Sequence, residues 1–447
     1  MSLDARQTVI EAEGRGAAVT SARPFPPPFD RLGAVLWTIV KQKMSTQYDI
    51  AIVGGGIVGL ATAVALSERT RYALIVIEGE SRLAAHQTGS NSGVIHAGLY
   101  YAPGSLKARL CVEGRELMFR FCQEHGVPFE RCGKLIVAVD DEETARLPAL
   151  AERGQANGLT GLKTLTPGEM RAVEPHVVGL AGLWVPQTGI VDFALVAQRM
   201  AGILRAAGHE VRTGFCVRRV ERDAHGLRLL SAGGTVHARF LINCGGLWSD
   251  RVAGLCGVHP PVRIVPFRGE YYELVPQARA LVRNLIYPLP DPRFPFLGVH
   301  FTRTIDGRVL CGPNAVLAFR RDGYRWLDIS ARDVLETLTY PGTWRLLGTY
   351  PSVCASEIRR SLSRRRFARS LQTLVPDVRS ADLVPARSGV RAQAVDPQGR
   401  LVDDFLIIET PDALHVLNAP SPAATASLAI GRHIADRATE RFELPRL

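Results

Sequence analysis

Residues 48–78 constrain the fold of this chain more than any other stretch. An apolar run at residues 50–53 enters a turn that contains Gly54, Gly56 and Gly59. Small and apolar residues follow over 60–67, and a second apolar run, 73–77, leads directly into the acidic residue Glu78. This order predicts a strand, a glycine turn, a helix and a second strand, which is the unit that binds a dinucleotide.

Each glycine of the turn has its own physical task. The first allows the tight turn, the second lets the backbone approach a pyrophosphate, and the third lets the helix pack closely on the strand. The helix N-terminus offers free N–H groups and a partial positive charge to the phosphates. Glu78 lies 19 residues after Gly59, where an acid can hold ribose hydroxyls. The acid disfavours a phosphorylated ribose and therefore NADP, whereas the choice between NAD and FAD stays open.

The basic character of the chain comes from arginine. Its 447 residues carry a net charge of +11, and only five of the 54 basic residues are lysine. No helix-turn-helix or zinc-finger pattern accompanies this charge, so we discount nucleic acid as a partner. An acidic substrate or an anionic membrane surface stays compatible with it. The densest basic stretch, residues 359–370, is predicted to be a solvated helix face, with anionic lipid near a quinone as the alternative.

Cysteine usage bears on the compartment. The chain has eight cysteines. They are scattered without a CxxC pair, which argues against a zinc site and a disulfide framework and favours a reducing compartment. We therefore expect a cytoplasmic protein, with peripheral binding to the inner face of the membrane as the alternative. No metal is expected.

The first 43 residues differ from the rest of the chain. They contain a proline cluster at 23–30 and a short apolar piece at 33–40, and Met44 stands just before the first strand. Three interpretations compete: an extension from a misassigned start codon, a disordered tail or targeting segment, and a weak membrane-surface anchor. We favour the first two because the apolar piece is too short for a signal peptide and the segment carries acids.

The remaining pattern predicts two interleaved domains in an α/β protein. A Rossmann-like dinucleotide-binding domain is expected to comprise residues 44–104, 186–260 and 385–440. An α+β substrate-binding domain with a mixed sheet is expected to comprise residues 105–185 and 261–384. A glycine pair, Gly245 and Gly246, ends a buried strand and marks a second place where the backbone can approach a cofactor.

Several predicted elements bear on the site. Strands are expected at 216–222, 235–237, 240–243, 263–275 and 296–304. A helix is expected over 105–125. The last strand, 414–417, is expected to turn at 418–425 into a helix over 426–439.

Seven motifs carry a resemblance to a known family. In chain order they are SNSGVIHAGLYY, FRGEYYEL, FPFLGVHFT, GPNAVLAF, SGVRAQAVD, LVDDF and LNAPSPAATASLAIG. With the dinucleotide unit they resemble the FAD-dependent oxidoreductases of the D-amino-acid oxidase superfamily, and within it the L-2-hydroxyglutarate oxidases and dehydrogenases. The resemblance runs from about residue 48 to residue 436.

This resemblance implies an activity and a cofactor, FAD. The family converts L-2-hydroxyglutarate, a small dicarboxylate, to 2-oxoglutarate: hydride leaves C2 for flavin N5, and a base takes the hydroxyl proton. The electrons then pass to oxygen or to a membrane quinone. Two alternatives stay open: a related oxidoreductase acting on an amino acid or glycerol 3-phosphate, and a flavin-binding protein without turnover. The oligomeric state is not predicted.

The resemblance also assigns cofactor ligands. The glycine turn is expected to hold the pyrophosphate and Glu78 the adenosine ribose. Val217, expected at the start of a strand, would contact the adenine, and Gly245 and Gly246 would line the far side. The remaining cofactor-binding candidates lie in two loops, and those of the second loop would stabilise negative charge on the reduced flavin. They are Thr88, Ser90, Asn91 and Ser92 in the first loop, and Ser421, Ala423, Ala424 and Thr425 in the second.

Two histidines and several polar residues are candidates for the chemistry. His96 and His300 lie in family motifs, and an imidazole suits proton transfer near neutral pH. His96 has a rival role, because some relatives attach flavin covalently through a histidine in this loop. The candidate carboxylate ligands are Arg268 and Arg391, with Tyr271 and Asn314 as partners and Lys107 as a weaker addition.

Overall fold

The computed structural model describes residues 47–291 and 298–444. The predictions for residues 1–43, and for the start of the strand expected at 296–304, lie outside this described part. From Gln47 onward the chain forms one compact unit. The division into interleaved cofactor and substrate domains stays a prediction.

Twenty-two strands occur in the described residues. In chain order they are β1 Gln47–Val53, β2 Leu74–Ile77, β3 Val94–Ile95, β4 Phe129–Glu130, β5 Lys134–Ala138, β6 Lys163–Leu165, β7 Ala181–Val185, β8 Gly189–Val191, β9 Glu210–Arg212, β10 Arg219–Asp223, β11 Gly226–Ser231, β12 Gly234–Asn243, β13 Arg263–Gly269, β14 Tyr272–Leu274, β15 Leu285–Pro288, β16 His300–Arg303, β17 Val309–Gly312, β18 Val316–Leu317, β19 Leu383–Pro385, β20 Gly389–Val395, β21 Leu406–Glu409 and β22 Ala413–Asn418.

The same described part contains eleven α-helices. They are α1 Ile57–Ser67, α2 Leu106–Glu124, α3 Asp141–Ala156, α4 Pro167–Val173, α5 Phe193–Ala206, α6 Ser249–Leu255, α7 Ala331–Leu338, α8 Pro341–Thr349, α9 Pro351–Ser361, α10 Arg364–Gln372 and α11 Ala423–Arg441. None of the helices described is long and apolar enough to cross a bilayer.

The first sheet confirms the predicted Rossmann-like unit. Its parallel core runs β22–β12–β1–β2–β9, and the β10–β11 hairpin and β21 complete it. In register, Val53 lies beside Ile77 on one side and Asn243 on the other. Because parallel strands end at the same edge, the glycine turn, Glu78 and the Gly245–Gly246 pair all meet there.

The second large sheet is mixed, as expected for the substrate side. Its order is β19–β14–β17–β16–β15–β5–β7–β6, and only the β15–β5 pair is parallel. Two three-stranded sheets, β18–β13–β20 and β3–β8–β4, complete the fold. The fold class predicted from sequence is confirmed.

Close helix packing holds α11 under the first sheet. A Cβ at Gly431 would lie 2.5 Å from the backbone of Ala61 in α1, and one at Gly114 would lie 2.5 Å from Ala426. The absence of side chains at these two glycines lets α11 contact both α1 and α2. Its first turn is thereby fixed beside the carboxyl edge of the sheet.

Four of the predicted strands were wrong in their limits. The strand expected at 216–222 begins at Arg219, so Val217 precedes it. The strands expected at 235–237 and 240–243 form one long strand, β12, which pairs with β11 in its first half and with β22 in its second. The run 263–275 is two strands, β13 and β14, in different sheets. Continuous alternation cannot reveal a change of sheet, because both strands have the same period.

Candidate active site

A cavity of about 1760 Å³ lies at the carboxyl edge of the first sheet and extends to the second. All but three of the residues predicted from sequence line it; the exceptions are Gly59, Arg268 and Asn314. No group of three or more His, Cys, Asp or Glu side chains in the described part of the chain is placed to hold a metal.

The glycine turn forms a cradle that no other residue type fits. Gly54 has φ +118°, and a Cβ there would collide with the carbonyl oxygen of Cys244. A Cβ at Gly59 would collide with the carbonyl of Gly54, so Gly59 acts by packing helix on strand and not by lining the cavity. A Cβ at Gly56 would lie 3.3 Å from Thr88 Oγ1. The bare backbone at this turn fits a pyrophosphate at the N-terminus of α1.

Glu78 is fixed at the cavity wall by two backbone amides. Its carboxylate accepts a hydrogen bond from Gly55 N at 2.8 Å and another from Glu80 N at 2.9 Å. Each oxygen keeps further acceptor capacity, which suits the two hydroxyls of a ribose. The acid is therefore oriented before any ligand binds.

The loop after β2 contributes both to the local structure and to the cavity wall. Thr88 Oγ1 accepts from Ile57 N at 3.0 Å at the start of α1. The Asn91 side chain donates to Gln87 O and Thr88 O and accepts from Gly93 N, so its polar groups brace the loop. Asn91 lines the cavity together with Ser90 and Ser92, but its amide is already bonded.

The start of the last helix forms the opposite wall. Helix α11 begins at Ala423, three residues earlier than expected, and no side chain caps it. Ser421, Ala424 and Thr425 line the cavity with it. The Thr425 hydroxyl accepts from His96 N at 3.0 Å and lies 3.2 Å from Val94 O, so it ties the helix to the first loop. An uncapped helix start offers N–H groups to an electron-rich flavin edge.

The cradle, the acid and the uncapped helix start together fit FAD. Val217, Gly245 and Gly246 also line the cavity, on the side of α6. Gly246 has φ +54°, and the Gly245 amide donates to Asn243 Oδ1 at 3.0 Å.

His300 has one ring nitrogen committed and one available. Its Nδ1 lies 2.9 Å from Gly298 O, and because a carbonyl only accepts, Nδ1 carries the hydrogen. Its Nε2 is then an unprotonated acceptor. The ring stacks on Tyr287 with centroids 3.9 Å apart. Burial is the main cause that lowers the pKa of His300 to about 3, and the charges of Arg391 and Lys134 contribute to this shift. The imidazole is therefore neutral near pH 7.

His96 is also neutral and lies in the same cavity. Burial, with the charge of Lys134, lowers the pKa of His96 to about 3. Among the described residues, its Nδ1 is buried without a hydrogen-bond partner. A buried polar atom at a cavity wall is the kind of group that a ligand satisfies.

The two predicted arginines separate. Arg391 lies on β20 and lines the cavity with Tyr271. Arg268, fully buried, donates to Glu270 Oε1 through Nε at 3.1 Å and Nη2 at 2.9 Å, and its guanidinium lies 4.6 Å from the Trp326 ring centroid. Asn314 donates to the other Glu270 oxygen at 2.8 Å. Arg268 and Asn314 thus do not line the cavity, and both are bonded to Glu270. Their role as substrate ligands stays a prediction, which this geometry does not favour.

This geometry predicts different effects for the two arginines. Arg268→Met leaves Glu270 without its cation and is expected to lower the free energy of unfolding by about 3 kcal/mol. Arg391→Met is expected to weaken substrate binding more than it lowers stability. Urea unfolding of both variants checks this, with exposed Arg365→Met as the matched control. If Arg268→Met were as stable as wild type but bound substrate more weakly, Arg268 would be a substrate ligand after all.

Sequence reasoning missed several wall residues. Tyr287 lies on β15, where no strand was predicted. Tyr100 lies in the motif SNSGVIHAGLYY but was not predicted as a site residue. Lys107, the weaker candidate, does line the cavity, donates to Asp403 at 2.8 Å and lies 5.0 Å from the Tyr101 ring centroid. The clusters of aromatic residues in HAGLYY are a signal that could have found Tyr100.

Known proteins share the sequence and the fold of this chain. The family described as FAD dependent oxidoreductase (DAO) matches residues 49–437. L-2-hydroxyglutarate dehydrogenase of Indibacter alkaliphilus is 47% identical over 397 residues, covering 88% of this chain and 100% of that protein. The mitochondrial protein of that name from Homo sapiens is 44% identical over 422 residues, covering 90% of each chain.

Solved structures agree on the fold. L-alpha-glycerophosphate oxidase from Mycoplasma pneumoniae, with FAD bound, matches with a TM-score of 0.71 at 22% identity and covers 90% of this chain and 96% of its own. At this identity the likeness concerns the fold alone.

Proposed function

The chain belongs to the FAD dependent oxidoreductase family and is therefore a flavoenzyme, and from that premise we propose that it oxidises L-2-hydroxyglutarate to 2-oxoglutarate. The observation that carries the proposal is the pairing of a neutral buried imidazole, His300, with a half-buried arginine, Arg391, in the cavity that holds the dinucleotide cradle. A 2-hydroxy acid needs both, a base for its hydroxyl and a cation for its carboxylate.

The chain's own residues then have defined tasks. Bound FAD supplies the hydride acceptor. His300 Nε2 takes the proton of the C2 hydroxyl, since Nδ1 is held by Gly298 O. Arg391 and Tyr271 hold the carboxylate next to C2, and the bidentate guanidinium orients the carbon. The cavity wall of Tyr100, Tyr287 and His96 keeps water from the reacting carbon.

An anaerobic titration tests this function. The purified holoenzyme is mixed with L-2-hydroxyglutarate, and bleaching of the visible flavin band is followed. Its D-isomer, glycine and glycerol 3-phosphate serve as comparisons. Bleaching by the L-isomer alone supports the proposal. Bleaching by another compound would assign that compound as the substrate instead. A flavin that no compound reduces would favour a flavin-binding protein without turnover.

We further propose that the electron acceptor is a membrane quinone reached by peripheral docking. In the described part of the chain, seven of the exposed large apolar side chains fall within residues 327–362, among them Leu327 at 88% and Leu362 at 72% exposure. No residue of α9 is buried. Exposed arginines of α9 and α10 follow in the same segment, and such a mixture suits an anionic bilayer surface.

Vesicle flotation checks the docking surface. The protein is expected to float with vesicles containing anionic phospholipid and to float less at high salt, because screening weakens the arginine attraction. Leu335→Ser with Leu362→Ser should reduce flotation severalfold, whereas Leu180→Ser, an exposed leucine outside the segment, should not. Equal flotation of all three proteins would remove this segment as the docking surface.

A further inference from the structure

Lys134 is a buried cation at the back of the active-site cavity. It opens β5 in the centre of the second sheet and is 1% exposed. Strand alternation places it on the same face as Ile136 and Ala138, and both of these pack in the cluster that contains Tyr287. The neighbouring strand β15 carries Tyr287, so Lys134 and the ring beneath His300 share one face.

Two aromatic rings flank the ammonium, and no carboxylate of residues 47–291 or 298–444 forms an ion pair with it. Lys134 Nζ lies 4.5 Å from the Tyr100 ring centroid and 4.9 Å from that of Tyr287. Both rings line the cavity. Burial lowers the pKa of Lys134 to about 7, and within the described residues only the Cys111 thiol opposes that shift. Two cation–π contacts offset part of the cost of burying an ammonium, and an anion in the cavity would offset more.

Lys134 and Arg391 both act on His300. The charges of both lower its pKa, while Lys134 also lowers the pKa of His96. The proposed base is therefore close enough to two cationic side chains for both charges to affect it. Arg391 lines the cavity, whereas Lys134 contacts the Tyr100 and Tyr287 rings of the cavity wall. A dicarboxylate can place one carboxylate at Arg391 and direct the other toward Lys134, with C2 beside His300.

We propose that Lys134 is a specificity-determining residue that selects, through the Tyr100 and Tyr287 rings, substrates carrying a second carboxylate. The inference rests on the proposed function and deepens it. The Lys134 charge attracts the second carboxylate from behind the two tyrosine rings. Arg391 remains the residue that binds the first carboxylate directly. Removing the charge should therefore weaken the binding of a dicarboxylate and leave the binding of a monocarboxylate of equal length unchanged.

The titratable groups around Lys134 make this selection visible in a pH profile. His96 and His300 titrate near pH 3, the pKa of Cys111 is about 12, and burial raises the pKa of both Tyr100 and Tyr287. The charge of Arg115 opposes part of the rise in the pKa of Cys111. Lys134 is then the group that loses charge as pH rises through about 7.

The experiment compares wild-type holoenzyme with Lys134→Met and Lys134→Arg. Anaerobic stopped-flow reduction gives the Kd and limiting rate for L-2-hydroxyglutarate and for L-2-hydroxypentanoate, which lacks only the second carboxylate. Lys134→Met should raise the Kd for the dicarboxylate by about tenfold or more and leave that for the monocarboxylate within about twofold. In wild type the dicarboxylate Kd should rise with pH above about 7, and in Lys134→Arg it should stay flat.

Two readouts separate the outcomes. Without ligand, Lys134→Met should have a higher Tm than wild type, because the substitution removes a buried amine. A lower Tm together with an equal loss of affinity for both acids would mean that Lys134 acts by packing, and would overturn the proposal. Unchanged discrimination in Lys134→Met would overturn it as well. If L-2-hydroxyglutarate fails to reduce even the wild-type flavin, the proposed function fails. The binding of 2-oxoglutarate, followed by flavin absorbance shifts, then still tests Lys134.

Discussion

His300→Asn is expected to slow flavin reduction by L-2-hydroxyglutarate by about 10²-fold or more, since an amide cannot accept the hydroxyl proton. The structure leaves Nε2 of His300 as the acceptor because Nδ1 donates to Gly298 O. The Kd for substrate should change much less than the rate, because Arg391 still holds the carboxylate. Anaerobic stopped-flow reduction at saturating substrate measures both quantities.

A matched histidine gives the control for this variant. His176 bonds Asp377 at 2.7 Å and does not line the cavity. Substrate should therefore reduce the flavin of His176→Asn at the wild-type rate. The imidazole of His300 accepts a proton only while neutral. With its pKa near 3, the wild-type rate should show no loss between about pH 5 and pH 8 and should fall only toward pH 3. An unchanged rate in His300→Asn would move the base to another residue, with His96 next.

The second large effect is expected for Gly54→Ala, which should lower the amount of FAD bound per protein chain more than about tenfold. The residue has φ +118°, where an L side chain is strained, and its Cβ would collide with the carbonyl oxygen of Cys244. Relief requires β1 and β12 to separate at their carboxyl ends, and this displaces the backbone that faces the pyrophosphate. The ratio of flavin to protein absorbance after gel filtration measures the loss.

Gly202→Ala is the matched control for the glycine variant. Gly202 lies in α5, and a Cβ there meets nothing within 4 Å. Since alanine favours a helix over glycine, this variant should keep full flavin and gain about 0.5 to 1 kcal/mol of stability. Full flavin in Gly54→Ala as well would show that the turn tolerates a side chain and would overturn the cradle.

Local patterns predicted much of the first sheet. The β1–α1–β2 unit occurs where the glycines and apolar runs placed it, because each of its signals lies within a few residues of the structure it produces. The start of α2 was also predictable, since Ser105 accepts from Ala108 N as an N-cap. The limits of β12, β13 and β14 were not, because pairing with distant strands decides where a strand ends.

Polar side chains were harder to place than strands. Arg268 and Arg391 both lie in motifs, and their strands β13 and β20 pair directly. Yet Arg268 bonds Glu270 behind the wall and Arg391 faces the cavity. Lys134 gave only a weak signal, a charged residue at the head of an apolar strand. Its neighbours Tyr100 and Tyr287 come from distant parts of the chain.

By itself the sequence determined the dinucleotide unit, the fold class, the family and the set of residues from which the site is drawn. It could do so because turn glycines, apolar periods and motif order are properties of contiguous residues. Only the tertiary structure decided which nitrogen of His300 is available, which arginine reaches the cavity, and that Lys134 lies buried behind two tyrosines. These outcomes depend on burial and on hydrogen bonds between residues far apart in the chain, and no local pattern encodes them.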